Sequence, residues 1–213
     1  IESKNKTYEN LTYEIQKNNE FNNNDDILIK PLAVFVHLYN ILVWDDISKY
    51  LKTLNTSGYK FDLYVNIANS DTKIFKNKEY EYLKNKILNN KIYDNIYLTF
   101  SDNRGMDIGG FFISYIKMLE MKLGYENIIK IHSKTNNNWR FAMMYAILGN
   151  KNIIDNNFVK MKQGNIGMIG NQVISLTNII NKNSYNYIHS YLKRFQVKYN
   201  NKGCFIPGTI FMI

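Results

Sequence analysis

Lys130, His132 and Lys134, in the segment "KIHSK", stand at i, i+2 and i+4. On an extended strand this spacing places all three on one face. A covered parallel strand excludes unpaired ammonium groups, because burying one without a partner costs several kcal/mol. The triplet therefore implies an anion, open solvent, or an edge strand whose lysines deter pairing. A diphosphate with developing charge is the kind of anion that Lys, Arg and His stabilise. Immediately downstream, "TNNNWR" would add Arg140 to the same rim.

The stretch "SDNRGMDIGGFF", Ser101 to Phe112, offers a second set of polar groups: Asn103, Arg104 and Asp107 among three glycines. Gly105 suits a positive-φ position, while Gly109 and Gly110 allow a helix to begin close to a sheet or ligand. A helix N-terminus directs free N–H groups outward and favours phosphate. Asp107 reads equally well as that helix's N-cap. Neither G-x-G-x-x-G nor G-x-x-x-x-G-K-[ST] is present.

Other chemistries find less support. His37 lies in an apolar run, where a hydrogen-bonded core histidine is the default, and it is also the acid/base candidate of that run. His189 sits in a Tyr-rich segment and reads as surface or packing. No His, Cys and Asp trio has zinc spacing, no G-x-S-x-G presents a serine nucleophile, and Cys204 has no evident base. A D-x-D pair for Mg²⁺ or Mn²⁺ is missing where "KIHSK" stands. A divalent metal would have to be reached by Asp71 or Asp107 instead. Cations in place of a metal are the expectation.

These residues need a frame to bring them together. "PLAVFVHLY", "KFDLYVNIA", "NIYLTF" and "NIIKIHS" read as buried strands. Between them "DISKYLKTLN", "NKEYEYLKNKILNN" and "GGFFISYIKMLEMKLG" have helical period, the first capped by Asp45 or Asp46 and the last closing at Gly124. Strand centres recur roughly every 30 residues, the length of a right-handed βαβ unit. The fold expected is α/β: an open, mostly parallel twisted sheet with flanking helices. Ligands of such sheets lie beyond the strands' carboxyl ends. There the chain places His37, Tyr39 and Asn40; then Asn66, Asn69, Ser70 and Asp71; then Asp102, Asn103, Arg104 and Asp107; then His132, Ser133, Lys134 and Thr135.

Residues 1–26 read as a polar lead-in, with a short helix in "YENLTYEIQK", and residues 27–213 as one domain that continues past Ile213. In its second half "WRFAMMYAILGN", "IIDNNFVKMKQ" and "SYNYIHSYLKRFQ" are expected to be helical. "NIGMIG" and "CFIPGTIFMI" have strand character. A single cysteine excludes an internal disulfide. Lys and Arg number 27 against 18 Asp and Glu, a formal charge of +9 that favours anionic partners. The lysines are scattered, and the 17 tyrosines form no repeated basic-aromatic motif, which argues against a dedicated nucleic-acid binder. "ILIKPLAVFVHLYNILVW" is too interrupted for a spanning helix. The expected location is the cytoplasm or the periphery of a membrane.

Taken in order, six motifs resemble the rhamnan synthesis protein F family of polysaccharide glycosyltransferase-like proteins. They are His37 to Asn40; Phe61 to Val65; Asn103, Gly105 to Ile108, Gly110 and Phe111; Lys130, His132, Ser133 and Lys134; Trp139 and Arg140; and Gly208, Thr209 and Phe211. Met106, Gly110 and Asn40 replace the family's arginine, proline and second tyrosine. The resemblance implies a Rossmann-like, GT-A-type transferase that passes a sugar, with rhamnose one candidate, from a UDP-, GDP- or dTDP-sugar to a glycan acceptor. Under it Tyr39, Asn66, Asn69, Asn103 and Arg104 would hold the donor's nucleotide, and Lys130, His132, Lys134 and Arg140 its diphosphate. Asp107 would bind donor sugar or ribose, and His37 the sugar or acceptor. The alternative is an inactive glycan- or nucleotide-binding module with the same fold.

Overall fold

The structure, a computed structural model, describes residues 27–69, 78–171 and 209–213, with Arg194 and three short strands outside those ranges. In chain order the elements are β1 (Glu14–Gln16), β2 (Leu28–Leu38), a 3-10 turn (Ile41–Val43), α1 (Trp44–Thr56), β3 (Asp62–Asn69), α2 (Lys78–Leu88) and β4 (Ile96–Asp102). There follow α3 (Met106–Glu120), β5 (Leu123–His132), α4 (Asn137–Leu148), α5 (Lys151–Lys162), β6 (Ile169–Gly170), β7 (Ile174–Ser175), β8 (Cys204–Phe205) and β9 (Phe211–Met212).

One sheet runs in the order β1-β4-β3-β2-β5-β9-β6. Its four long central strands, β4, β3, β2 and β5, are mutually parallel. β1 and β9 add to them antiparallel at the two sides, and β6 pairs antiparallel with β9. The chain is therefore α/β, with a mostly parallel sheet and flanking helices, as its hydrophobic rhythm predicts.

Alternation along β2 assigns the two faces. Leu32, Val34, Val36 and Leu38 enter the larger core with α1, α2, α4 and α5, where Trp44, Leu51, Ile87, Met143 and Phe158 are buried. Ala33, Phe35 and His37 point the other way. Among the described residues that second face is covered by α3, whose Phe111, Tyr115 and Met118 lie over a stack of Phe35, Tyr64 and Tyr97. Successive rings in the stack are 4.5 Å apart. At the strands' amino ends the same face carries a closed network. Asp62 is buried and accepts hydrogen bonds from Lys30 (2.7 Å), Tyr125 (2.6 Å) and Asn95 (2.7 Å).

Several local expectations are corrected. Within "YENLTYEIQK", Glu14–Gln16 form a strand, because pairing with Ile96–Leu98 covers an otherwise open edge of β4. α1 begins at Trp44, so Asp45 and Asp46 occupy its first turn and cap nothing. Their carboxylates reach Lys86 and Arg140 instead. α3 stops at Glu120, where Lys122 turns to φ 55°, and Gly124 belongs to β5. In "NIGMIG" only Ile169–Gly170 is strand. "CFIPGTIFMI" divides into β8 and β9, which join different sheets. The helix expected in "SYNYIHSYLKRFQ" lies outside the described residues apart from Arg194.

Candidate functional site

Numbered by appearance, the parallel strands lie in the order 3-2-1-4, so the chain leaves β2 toward β3 on one side and later returns to β5 on the other. Such a reversal opens a crevice at the carboxyl ends of the two central strands. Here the reversal lies between β2 and β5. His37 and His132 are register partners across it, Asn66 is the partner of His37 in β3, and Thr99 that of Asn66 in β4. Four strands thus set His132, His37, Asn66 and Thr99 in one row on the face covered by α3. A Lys130–Phe35 pair lies one pleat below.

α3 can approach that row because of its glycines. A Cβ on Gly110 would fall 1.9 Å from His37 Nδ1 and 2.5 Å from Asn66 Oδ1. Gly110→Ala must displace both buried polar groups. It is expected to lower the urea unfolding free energy by about 1–3 kcal/mol, the usual cost of overpacking, and an unchanged midpoint would contradict the close approach. Gly105 is the helix N-cap at φ 71°, and Met106 follows at φ 52°, a left-handed conformation unusual for its side chain.

Asp107 is therefore not the N-cap. It is the second residue of α3, and its side chain turns to the sheet. Its Oδ2 accepts a hydrogen bond from Lys130 Nζ at 2.6 Å and another from the Thr209 hydroxyl. His132 Nδ1 lies 3.6 Å from the same oxygen and 3.3 Å from Thr209 Oγ1. Thr209 presents that hydroxyl from φ 53°, a strained setting for a β-branched residue. The Lys130 side chain is completely buried, so the anion it meets is internal.

Burial alone would raise the Asp107 pKa, but hydrogen bonds from Lys130 and Thr209, with the charges of Lys130 and His132, outweigh it and hold the carboxyl down to about 2. Burial pulls Lys130 below its ordinary value against the pull of Asp107. His132 is lowered to about 4, first by burial and then by the neighbouring Lys130 charge. At neutral pH the cluster is an ionised acid and an ammonium beside a neutral imidazole.

A hydrogen-bonded row extends from it. His37 Nδ1 is 2.8 Å from Asn66 Oδ1, which also accepts from Ser101 Oγ. Asn66 Nδ2 donates to Thr99 Oγ1, itself 3.0 Å from Ser114 Oγ on α3. With Asn66 oxygen toward it, Nδ1 carries the His37 hydrogen and Nε2 has the lone pair. That Nε2 is buried without a hydrogen-bond partner. Burial also lowers the His37 pKa, which keeps the ring neutral.

The remaining candidates form the rim rather than the cluster. Tyr39 is half exposed, and the backbone N–H groups of Tyr39 and Asn40 both donate to Ser133 Oγ, which binds the end of β2 to the chain after β5. Asn103 and Arg104 are exposed, with Arg104 Nε 3.8 Å from Asp102. Asn69 ends β3 beside Asp102. Ser70, Asp71, His189 and Gly208 lie outside the described residues.

Two placements depart from the expected shared face. β5 ends at His132, so only Lys130 and His132 share it, while Lys134 has turned away and sits 4.1 Å above the Trp139 ring. Arg140 is buried at the α1–α4 contact. It donates to the Lys134 carbonyl, to Asp46 (2.8 Å) and to Asn137 (2.9 Å), as a clamp between the two helices. Sequence reasoning gave Thr209 no part in the site, placed Ser133 only among the rim residues, and read Asp46 only as a helix cap. Thr209 was visible only as a motif letter, and its contact with Asp107 spans 102 residues.

Among the described residues no three His, Cys, Asp or Glu side chains gather as metal ligands, and no helix is long and apolar enough to cross a membrane. No protein-family model, curated protein or solved structure matches this chain.

Proposed function

We propose that this chain is a glycosyltransferase domain that binds a nucleotide-diphosphate sugar across the carboxyl ends of its parallel strands and passes the sugar to a glycan. The observation that carries the reading is the coincidence of two independent features at one place. The reversal of strand order between β2 and β5 is where α/β sheets hold nucleotides, and there the chain concentrates Asp107, Lys130, His132 and His37. The ordered motif resemblance to rhamnan synthesis protein F proteins supports the same activity and a GT-A-type architecture.

In this reading Tyr39, Asn103 and Arg104 meet the nucleotide from the rim. Lys134 supplies the accessible cation for the diphosphate. Lys130 acts differently: it fixes the Asp107 carboxylate, whose partly exposed side chain receives a hydroxyl of the donor. The His37 Nε2 lone pair is buried without a hydrogen-bond partner, and a donated hydrogen would satisfy it.

A binding titration tests this. One of a panel of UDP-, GDP- and dTDP-sugars, each run with Mn²⁺ and with chelator, is expected to bind saturably. Arg104→Ala and Lys134→Ala, both substitutions of rim side chains, are expected to weaken it about tenfold each, as loss of a charge-assisted contact does. Binding by no member of the panel, or indifference to both substitutions, would sink the proposal. The internal pairing of Lys130 with Asp107 favours one competing reading, a binding module without turnover. Saturable donor binding with neither transfer nor hydrolysis would establish that one instead.

A further inference from the structure

A cavity of about 510 Å³ lies in the groove between α1 and α4, outside the Asp107 cluster. Its size falls within the range of small-molecule sites. Phe141, 60 % exposed, forms part of its wall, and the ring of Tyr145 stacks on Phe141 at 5.5 Å. An aromatic pair turned to solvent at a cavity mouth is costly to display and effective as a platform.

The polar lining narrows the ligand's chemistry. Arg140 is spent on Asp46, Asn137 and the Lys134 carbonyl, and Lys49 lies 3.5 Å from the same Asp46. Arg140, the buried cation of the cavity, is therefore already committed to a carboxylate, and the exposed Lys49 pairs loosely with the same group. Asp46 is half exposed, and its hydrogen bond from Arg140 keeps its carboxyl below the usual range. Among the described residues the Asn138 amide and the Tyr50 hydroxyl, also in the lining, make no hydrogen bond. What fits is an uncharged molecule with one C–H face and several hydroxyls.

We propose that this groove is a saccharide-binding subsite. A pyranose lays its apolar face on Phe141 and directs hydroxyls to Asp46, Asn138 and Tyr50. The inference rests on the glycosyl-transfer reading only for the identity of that sugar as part of the acceptor. The groove suits the part, because Arg140 joins it to the carbonyl of Lys134 on the nucleotide rim.

Saturation-transfer NMR of the chain with methyl glycosides of rhamnose, glucose, galactose and N-acetylglucosamine, and with disaccharides of each, tests the subsite. At least one is expected to bind saturably. Phe141→Ala and Asn138→Ala should weaken it tenfold or more, and Phe141→Tyr should retain it. Phe141→Ala and Asn138→Ala should still bind the best nucleotide-sugar as the wild type does. No saccharide signal, a signal undiminished in Phe141→Ala, or displacement by inorganic phosphate would overturn the subsite. Saccharide binding without any nucleotide-sugar binding would uphold the subsite and sink the transferase reading. Nucleotide-sugar binding without saccharide binding would do the reverse.

Discussion

Asp107→Ala is expected to lower the unfolding free energy by about 3–5 kcal/mol, the usual consequence of leaving a buried charge without its partner. The charge in question is the Lys130 ammonium, fully enclosed and 2.6 Å from Asp107 Oδ2. Phe211, with its ring centroid 6.0 Å from Nζ, offers only a weak substitute. The paired replacement Asp107→Leu with Lys130→Met should behave differently. Removing both ions together spares their desolvation, and hydrophobic residues of similar volume in place of a buried pair are often neutral or stabilising. The double variant should therefore recover most of the loss, a coupling that a double-mutant cycle reads directly. Urea titrations of the three variants measure it, and an Asp107→Ala change under about 1 kcal/mol would mean that solvent reaches Lys130. The same double variant separates fold from function. If it is stable and no longer binds the nucleotide-sugar, the carboxylate serves the ligand; if binding persists, the pair serves the fold.

How much of this was legible in the sequence follows from the range of each interaction. β2, β3, β4 and β5 were legible because a strand covered on both faces must be continuously apolar, and "PLAVFVHLY" or "NIYLTF" leaves little else to expect. Their intervening helices follow from spacing alone. The site was half legible. Polar residues at strand ends are local facts, and the topology of α/β sheets gathers them without further information. The direction of individual side chains was not legible. Lys134 was placed on the face of Lys130 by extrapolating a period two residues past the end of β5. Arg140 reads as a phosphate ligand until α1 brings Asp46 against it from 94 positions away. Asp107 has the appearance of a cap because capping is decided by neighbours in sequence, whereas Thr209 and Lys130 reach it through the tertiary fold. Glu14–Gln16 was misread for the same reason. Three polar-flanked residues carry no strand signal of their own, and only the vacant edge of β4 makes them one.

Acid should destabilise the protein well above the range in which carboxylates titrate. His132 has an ordinary pKa of 6.5 and is held to about 4 in the folded chain, by burial and then by Lys130. His37 is lowered too, with burial again the largest cause. Between those values the unfolded chain binds protons that the folded chain refuses, so stability rises with pH across the window. The contribution of each histidine is complete above 6.5 and is lost as pH falls through its folded value. For His132 the displacement corresponds to about 3 kcal/mol. Asp107 continues the trend lower down, since its stabilisation is present above the ordinary carboxyl value and disappears as pH falls through about 2. Urea midpoints recorded from pH 8 to pH 4 should therefore decline from about pH 6.5. His132→Gln, which has no proton to gain, should flatten part of that decline, whatever it costs at neutral pH. A wild-type midpoint constant down to pH 4.5 would show that solvent reaches both imidazoles. Such access would mean that His37 and His132 are not buried at the carboxyl ends of β2 and β5. If the decline is found, the same window should govern ligand binding: a protonated His132 beside Lys130 draws Asp107 toward itself, away from any hydroxyl at the crevice.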